Sequence, residues 1–447
     1  MTKKKKHTAL AKHTPPAHSV PRTSDVVVVG GGASGLAAAI SCAQTRRAQG
    51  AAALRIVVLE AAQRVGASIM RSGNGRCNFS NAHIFADHYH NAEEVARLFS
   101  ANAADPCIPS VLAWFEALGL VWVEKAEGRL YPFSNKADSV LAVLTDALDE
   151  LGIEVCTDAR VVSARRERGG FALSVEVGAR AARAARGRGG AHAAGVTSHV
   201  VSISARRVVV AAGGACPGEL LAALGAADDL VPRRAMLAPL AAEFVGNVGC
   251  APLDGIRMRA RLTLPEWGFS EKGEVLFRSG GVSGIVAFNA SRYAEPGDLL
   301  EVNLAPEMTP ADLVALLARR AEALSGRAAS KFFDGFVMPE VASEIVRQAQ
   351  LEPAEPVSVE SSAALAHAMQ HLALIVQGIG DVRAAQVRRG GLSLTAIDAA
   401  TCELVACAGA YVTGETLDVD APCGGFNLHW AWETGLAAGT AVARSLA

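Results

Sequence analysis

None of the nine cysteines sits in a Cys-x-x-Cys pair, and no apolar signal-peptide run opens the chain. These absences point to free thiols in a reducing, cytoplasmic setting rather than to a disulfide framework. Cys402 and Cys407 have the spacing of a short redox pair, but two small apolar residues near a turn are the plainer reading. The histidines are dispersed, with no His-x-x-x-His expected on a helix, and no metal is expected. A second Gly-x-Gly-x-x-Gly after a strand is also missing. Gly378-Ile-Gly-Asp-Val-Arg383 fails at the third glycine, which excludes a separate nicotinamide-binding domain of that type. No membrane span is expected either. Residues 26–45 are uncharged, yet a glycine triplet and a β-branched first third suit a buried strand and turn.

The 447 residues leave room for two or three domains with a substantial core. A formal charge of −1 conceals an asymmetry. Residues 1–24 carry Lys3 to Lys6, Lys12 and Arg22 with no acid and three prolines, and are expected to be a disordered, solvated tail. The tail's charge of +6 leaves −7 on the remainder, which argues against nucleic acid as the main partner. Residues 179–197, dominated by Ala, Arg and Gly, read as an extended hairpin tip rather than an RNA-binding arm.

What is present begins at Val26-Val-Val-Val-Gly-Gly-Gly-Ala-Ser-Gly35. A β-branched strand runs into Gly30-x-Gly32-x-x-Gly35, and residues 36–49 continue as a helix. Gly30 permits the tight turn, Gly32 lets the backbone approach a pyrophosphate, and Gly35 lets helix and sheet pack closely. The helix start offers free N–H groups and a favourable dipole to phosphates. Leu54-Arg-Ile-Val-Val-Leu-Glu60 is a second strand ending in a carboxylate, placed to accept from ribose hydroxyls. This combination predicts a dinucleotide, NAD or FAD.

Further on, residues 66–81, rich in Gly, Ser and Asn, read as a loop, 92–118 as helical and 139–151 as an amphipathic helix. Residues 153–164 open an antiparallel passage, and Val208-Val-Val-Ala-Ala-Gly-Gly214 returns to the parallel sheet. Residues 236–302 show short strands separated by turns, 311–350 and 361–371 read as helices, and 372–377 as a strand. Gly409-Ala-Tyr-Val-Thr-Gly-Glu415 is another strand ending in glycine and acid, leading to Gly424-Gly-Phe-Asn-Leu428 and a terminal helix. The start of that helix would favour negative charge on the N1–C2=O2 edge of a reduced flavin.

At this point the chain resembles the bile-acid-inducible N (BaiN-type) flavoproteins. The resemblance covers residues 25–447 and rests on Gly30-Gly-Gly-Ala-Ser-Gly35, Ser72-Gly-Asn-Gly-Arg-Cys-Asn-Phe-Ser-Asn81, Gly128-Arg-Leu-Tyr-Pro-Phe-Ser-Asn-Lys-Ala137, Gly273-Glu-Val-Leu-Phe277 with Gly281-Val-Ser-Gly284, and Gly414-Glu-Thr-Leu-Asp-Val-Asp420 with Gly424-Gly-Phe-Asn-Leu428. It implies an α/β fold: a Rossmann-like, glutathione-reductase-type FAD-binding domain with a parallel sheet and an antiparallel insertion, interrupted by a β-barrel-like domain carrying a small helical subdomain. The implied boundaries are 25–230 and 389–447 for the FAD domain, 231–305 and 371–388 for the barrel, and 306–370 for the helices. FAD is implied on Gly30, Gly32, Ala33, Ser34, Gly35 and Glu60, with adenine at the Val161 backbone. Gly213 and Gly214 would run beneath it, and Gly414 and Glu415 would meet the ribityl or phosphate oxygens. Gly425, Phe426, Asn427 and Leu428 would border the isoalloxazine, with Arg76 and Asn78 near the flavin. Three departures from the family stand out: Ser68 where a lysine is usual, a shortened loop after Gly214, and His429 where glutamine is common.

The loop after the acidic strand holds only Cys77, so disulfide-reductase chemistry is excluded; Cys77 itself reads as a packed residue more readily than as a reactive thiol. The expected activity is FAD-dependent reduction of an activated C=C bond in a small hydrophobic, bile-acid or steroid enone-like substrate, by hydride transfer through flavin N5. NAD(P)H would be a transient electron donor. Tyr131, His429 and Tyr293 are the candidate proton donors, and no catalytic residue is assigned. Two other readings stay open: an amine or alcohol oxidase or dehydrogenase, and a non-catalytic FAD-bearing protein that binds RNA or another partner.

Overall fold

The computed structural model describes residues 20–178 and 198–447; most of the basic tail and the hairpin tip at 179–197 therefore lie outside the described residues. The chain divides into two units, Met1–Arg234 with Arg388–Ala447, and Ala235–Val387.

In the first unit, β1 (Thr23–Val29) begins two residues inside the span read as tail, because Thr23 already pairs with Ser204. Val26 to Val29 are buried, as a strand covered on both faces requires. β2 (Ile56–Leu59) pairs with β1 in parallel. The span 66–81 is not all loop: it holds a short helix, Ala67–Arg71, and ends in β3 (Ser80–Asn81), which forms a small antiparallel sheet with β4 (Trp122–Glu124) and β5 (Arg129–Pro132). Residues 153–164 are two strands, not one. β6 (Glu154–Cys156) joins β2 in parallel, and the left-handed Asp158 turns the chain into β7 (Ala159–Glu167). β7, β8 (Gly170–Val177) and the first half of β9 (His199–Val210) form the antiparallel meander. The second half of β9 pairs in parallel with β1, so this strand joins the meander to the parallel sheet.

β10 (Leu230–Met236) leads into the second unit. There β11 (Leu240–Phe244), β12 (Arg257–Leu264), β13 (Phe269–Arg278), β14 (Gly281–Ser283), β15 (Leu299–Asn303) and β16 (Leu372–Ile379) close an antiparallel barrel in the order β11-β14-β13-β12-β15-β16. Phe244, Leu262, Phe277, Leu300 and Leu374 are buried in its core. Between β15 and β16 the reading of one helix over 311–350 is corrected to three: Pro310–Ala323, Ala329–Phe332 and Pro339–Gln348. Gly326 and Gly335, both at positive φ, and Pro339 break it. Ser362–Gln370 follows. Its end corrects the expectation of no His-x-x-x-His on a helix: His367 and, at the C-cap, His371 stack at 4.7 Å, with His371 Nδ1 3.2 Å from Glu301. Among the described residues no group of three or more His, Cys, Asp or Glu could hold a metal ion.

β17 (Val387–Leu392) leads back, and β18 (Ala410–Val412) completes the parallel sheet beside Val208–Val210 of β9. Helix α1 (Ala33–Ala48) packs against the terminal helix Phe426–Ser445. The helical region at 92–118 is likewise two helices, Ala92–Ala104 and Val111–Ala117, broken where Pro106 and Pro109 intervene. No helix among the described residues is long and apolar enough to cross a membrane.

Candidate functional site

Four parallel strands of the first unit end at one edge of the sheet, and each releases a glycine or an acid there: β1 at Gly30, β2 at Glu60, β9 at Gly213 and β18 at Gly414. The carboxyl edge of such a sheet is where α/β folds bind ligands. Gly30 is at φ 111°, and a Cβ on it would lie 2.3 Å from the Ala211 carbonyl, so the turn passes directly over the end of β9. A Cβ on Gly35 would lie 1.9 Å from the Gly30 carbonyl. The first bond of α1 runs from the Leu36 N–H to Gly32, and no side chain caps Gly32, so the first-turn N–H groups have no partner within the helix.

The Glu60 carboxylate accepts from the Gly31 N–H at 2.7 Å and the Ala62 N–H at 2.6 Å, which fixes it beside the glycine turn with lone pairs to spare. The Ala159 N–H donates to the Glu60 carbonyl at 2.9 Å, so β7 starts at the same place; Val161 is buried two residues along, at the β7–β8 bulge.

Distant segments meet around Ser34 and Gly414. A Cβ on Gly414 would lie 2.5 Å from Ser34 Oγ. The Gly414 N–H donates to Thr434 Oγ1 at 3.0 Å, and Trp430 Nε1–H donates to the Gly414 carbonyl at 3.1 Å. The Gly213 N–H donates to Thr416 Oγ1 at 3.0 Å. A Cβ on Gly214 would lie 2.4 Å from Glu415 Oε1, and the other close neighbour is Arg388, whose N–H donates to Glu415 at 2.7 Å. Burial pushes the Glu415 carboxyl up to about 7, against the opposing pull of its hydrogen bonds and of Arg388 and Arg233.

The terminal helix starts at Gly425, φ 98°, whose Cβ position lies 2.2 Å from the Ser80 carbonyl and 2.9 Å from Asn78 Oδ1. Asn78 Oδ1 is buried and accepts no hydrogen bond. Asn78 and Gly425 are thus brought together, while Arg76 is exposed and lies 5.4 Å over the Tyr131 ring. Phe426 is buried against His88, and its carbonyl accepts from Tyr89 OH at 3.0 Å. Asn427 binds Ala421, donating from Nδ2 at 2.7 Å and accepting at Oδ1 at 3.0 Å, so its side chain is committed to the preceding loop. Leu428 is half-buried on the same first turn.

Among the proton-donor candidates, Tyr293 lies in the second unit against Phe269, and Tyr131 is flanked by Arg76 and Lys125. Burial lowers His429 to about 4, so its ring is neutral near pH 7; Nδ1 lies 2.8 Å from Ser80 Oγ. Burial pushes the Cys77 thiol up to about 12 and raises Cys402 too, and Cys402 and Cys407 are both free. These thiols are packing groups.

The edge fits an anionic dinucleotide. A Cβ on Gly32 would meet only Ser68 Oγ, at 3.5 Å, and one on Gly213 nothing within 4 Å, so both leave room for a ligand. The Asn78 acceptor lacks a donor, and the helix N–H groups lack acceptors. Sequence reasoning missed Thr416, Thr434 and Trp430, which hold the glycine turns, and Arg233, whose Nε and Nη2 are buried without hydrogen-bond partners. Nothing in the alternation of β10 marks Arg233 out from Arg234.

The HI0933-like protein Rossmann domain family matches residues 24–441. The 3-dehydro-bile acid delta(4,6)-reductase of Clostridium scindens is 28% identical over 93% of this chain and 98% of its own. The ribosomal RNA dihydrouridine synthase of Escherichia coli is 23% identical over 92% and 96% respectively. Among solved structures, a 3-ketosteroid-delta4-(5alpha)-dehydrogenase from Rhodococcus jostii covers 95% of this chain and 98% of its own at 15% identity, with a TM-score of 0.44. The resemblance read from the motifs and the expected fold class are both met. The chain belongs to the HI0933-like family and is an oxidoreductase with that family's Rossmann-type flavoprotein fold.

Proposed function

We propose that the protein is an FAD-dependent reductase of C=C bonds conjugated with a carbonyl group. One observation carries the reading. Relatives matched over more than nine-tenths of this chain are named for different substrates, a 3-dehydro-bile acid and a uridine of ribosomal RNA, yet each named reaction saturates a C=C bond conjugated with a carbonyl. The substrate we favour is a small hydrophobic enone of steroid or bile-acid type, because that relative is the more similar of the two. A uracil ring in RNA is the second reading, supported by the other relative and opposed by the acidic balance of residues 25–447.

FAD, when bound, supplies a hydride at its N5. Gly30, Gly32, Ala33, Ser34 and Gly35 would present main-chain N–H groups to the diphosphate, with Glu60 accepting from the adenosine ribose and the Val161 backbone beside adenine. Gly213, Gly214, Gly414 and Glu415 would line the ribityl side. Glu415, near half-protonated at neutral pH, can both donate and accept there. Gly425, Phe426, Asn427 and Leu428 would border the ring, where the helix start would favour negative charge. The unpartnered Asn78 Oδ1 is a ready acceptor for a ring N–H, and Arg76 would line the substrate side. His429, neutral and bonded to Ser80, would orient the Ser80–Asn78 loop rather than give up a proton.

The purified protein should show a flavin absorbance band that bleaches anaerobically with NADH or NADPH, and recovers on adding a 3-oxo-4,6-diene steroid. Recovery with a uridine-containing ribosomal RNA fragment alone would select the second substrate. A band that neither nicotinamide bleaches, but an amine or alcohol does, would replace the reductase reading with an oxidase or dehydrogenase.

A further inference from the structure

The site as assembled has an imbalance of charge. The side chains gathered at the sheet edge include two acids, Glu60 and the partly protonated Glu415, and otherwise neutral groups. Arg76 and Arg388 are exposed to solvent. A dinucleotide diphosphate brings two further negative charges, against which a helix terminus offers about half a unit charge. On electrostatic grounds the site calls for a cation.

Arg233 stands at that position. It lies on β10 within the first unit, where Nη1 donates to the Cys216 carbonyl just beyond the Gly213–Gly214 turn. Nη2 lies 3.3 Å from the Cβ position of Gly391, and the charge acts on Glu415. Its Nε and Nη2 are both buried and donate to nothing. A guanidinium left with buried, unused donors is strongly unfavourable unless an acceptor completes it. Glu415 does not: no hydrogen bond joins the two, and its carboxylate accepts instead from the main chain of Arg388 and Gly214. The free Nε and Nη2 form one edge of the fork that suits an oxyanion.

We propose that Arg233 is the cation that balances the negative charge of the bound flavin cofactor. The inference rests on the FAD reading above. Two oxyanions of the same cofactor have this chemistry: a phosphate oxygen, present in both redox states, and the N1–C2=O2 edge, anionic only when the ring is reduced.

The test uses full-length protein freed of flavin, and two variants, Arg233→Met and Arg233→Lys. Oxidised FAD is titrated by fluorescence quenching, the midpoint potential of the loaded protein is measured, and the flavin-free forms are melted. With a phosphate as ligand, Arg233→Met weakens oxidised FAD at least tenfold, and Arg233→Lys by less, since the ammonium keeps the charge without the fork. With the reduced ring edge as ligand, oxidised FAD binds as before while reduced FAD binds at least tenfold more weakly, read as a fall in midpoint potential. In either case flavin-free Arg233→Met melts no lower than the parent, because the buried Nε–H and Nη2–H donors it removes have no acceptor there. Binding of both redox forms within twofold of the parent overturns the proposal. So does a flavin-free Arg233→Met that melts well below the parent or fails to fold, which would make Arg233 a structural post on Cys216. A parent chain that binds no FAD overturns the cofactor reading itself, a result these variants cannot mimic.

Discussion

Burial holds the His429 ring neutral, with Ser80 at Nδ1 and Glu433 3.8 Å from Nε2. Glu433 in turn accepts from Asn102 at 3.0 Å, and burial raises its carboxyl. The native His429 titrates near 4, below its ordinary value of 6.5, so folding opposes its protonation. Its contribution is complete above pH 6.5 and is lost as pH falls from there toward 4. The parent should therefore lose about 2 kcal/mol more stability than His429→Gln between roughly pH 8 and pH 5, measured by urea denaturation at both. Equal losses would show that the ring is not desolvated. At this scale the sequence marks residue types well, because a turn that needs Gly30 tolerates little else. It does not mark where side chains point. Asn427 stands in the expected stretch, yet its amide is spent on Ala421, and only the folded loop shows that.

At the scale of elements, the cofactor edge depends on how closely α1 meets the terminal helix. A Cβ on Gly435 would lie 2.5 Å from the Ser34 carbonyl, and one on Gly439 2.4 Å from the Ala38 carbonyl. Ser41 Oγ donates to the Leu436 carbonyl at 3.0 Å and lies 3.1 Å from Thr440 Oγ1. These contacts set the position of Ser34, hence of the glycine turn. Gly439→Leu should destabilise the chain by roughly 1–3 kcal/mol or more and weaken flavin retention. Thermal melting with and without added FAD checks both effects. A variant that melts like the parent would mean that the helices can separate without consequence. The strands and helices themselves were legible wherever periodicity ran uninterrupted, as in β1 and α1. They were misjudged where a proline or a left-handed residue cut a pattern, at Pro106, Asp158 and Gly326.

Across the whole molecule, the second unit has its own closed barrel and its own apolar core, including Phe244, Phe277, Phe332 and Ile345. A barrel has no unpaired edge to protect, so the segment Ala235–Val387 should fold when expressed alone and unfold in one cooperative thermal step. A non-cooperative melt would show that it needs the first unit.

The sequence by itself determined the first unit's α/β class, the dinucleotide turn and the glycine or acid at each strand end. Those features follow from local rules: strand periodicity, the conformational freedom of Gly30, and the orphan N–H groups of a helix start. Tertiary structure alone decided which distant groups share one edge. Ser34 meets Gly414, Asn78 meets Gly425, and Arg233 reaches the Gly214 turn with donors unspent, across as many as 380 residues of chain. No local pattern encodes such encounters, because burial and hydrogen-bond partnership belong to the packed molecule and not to a position in the chain.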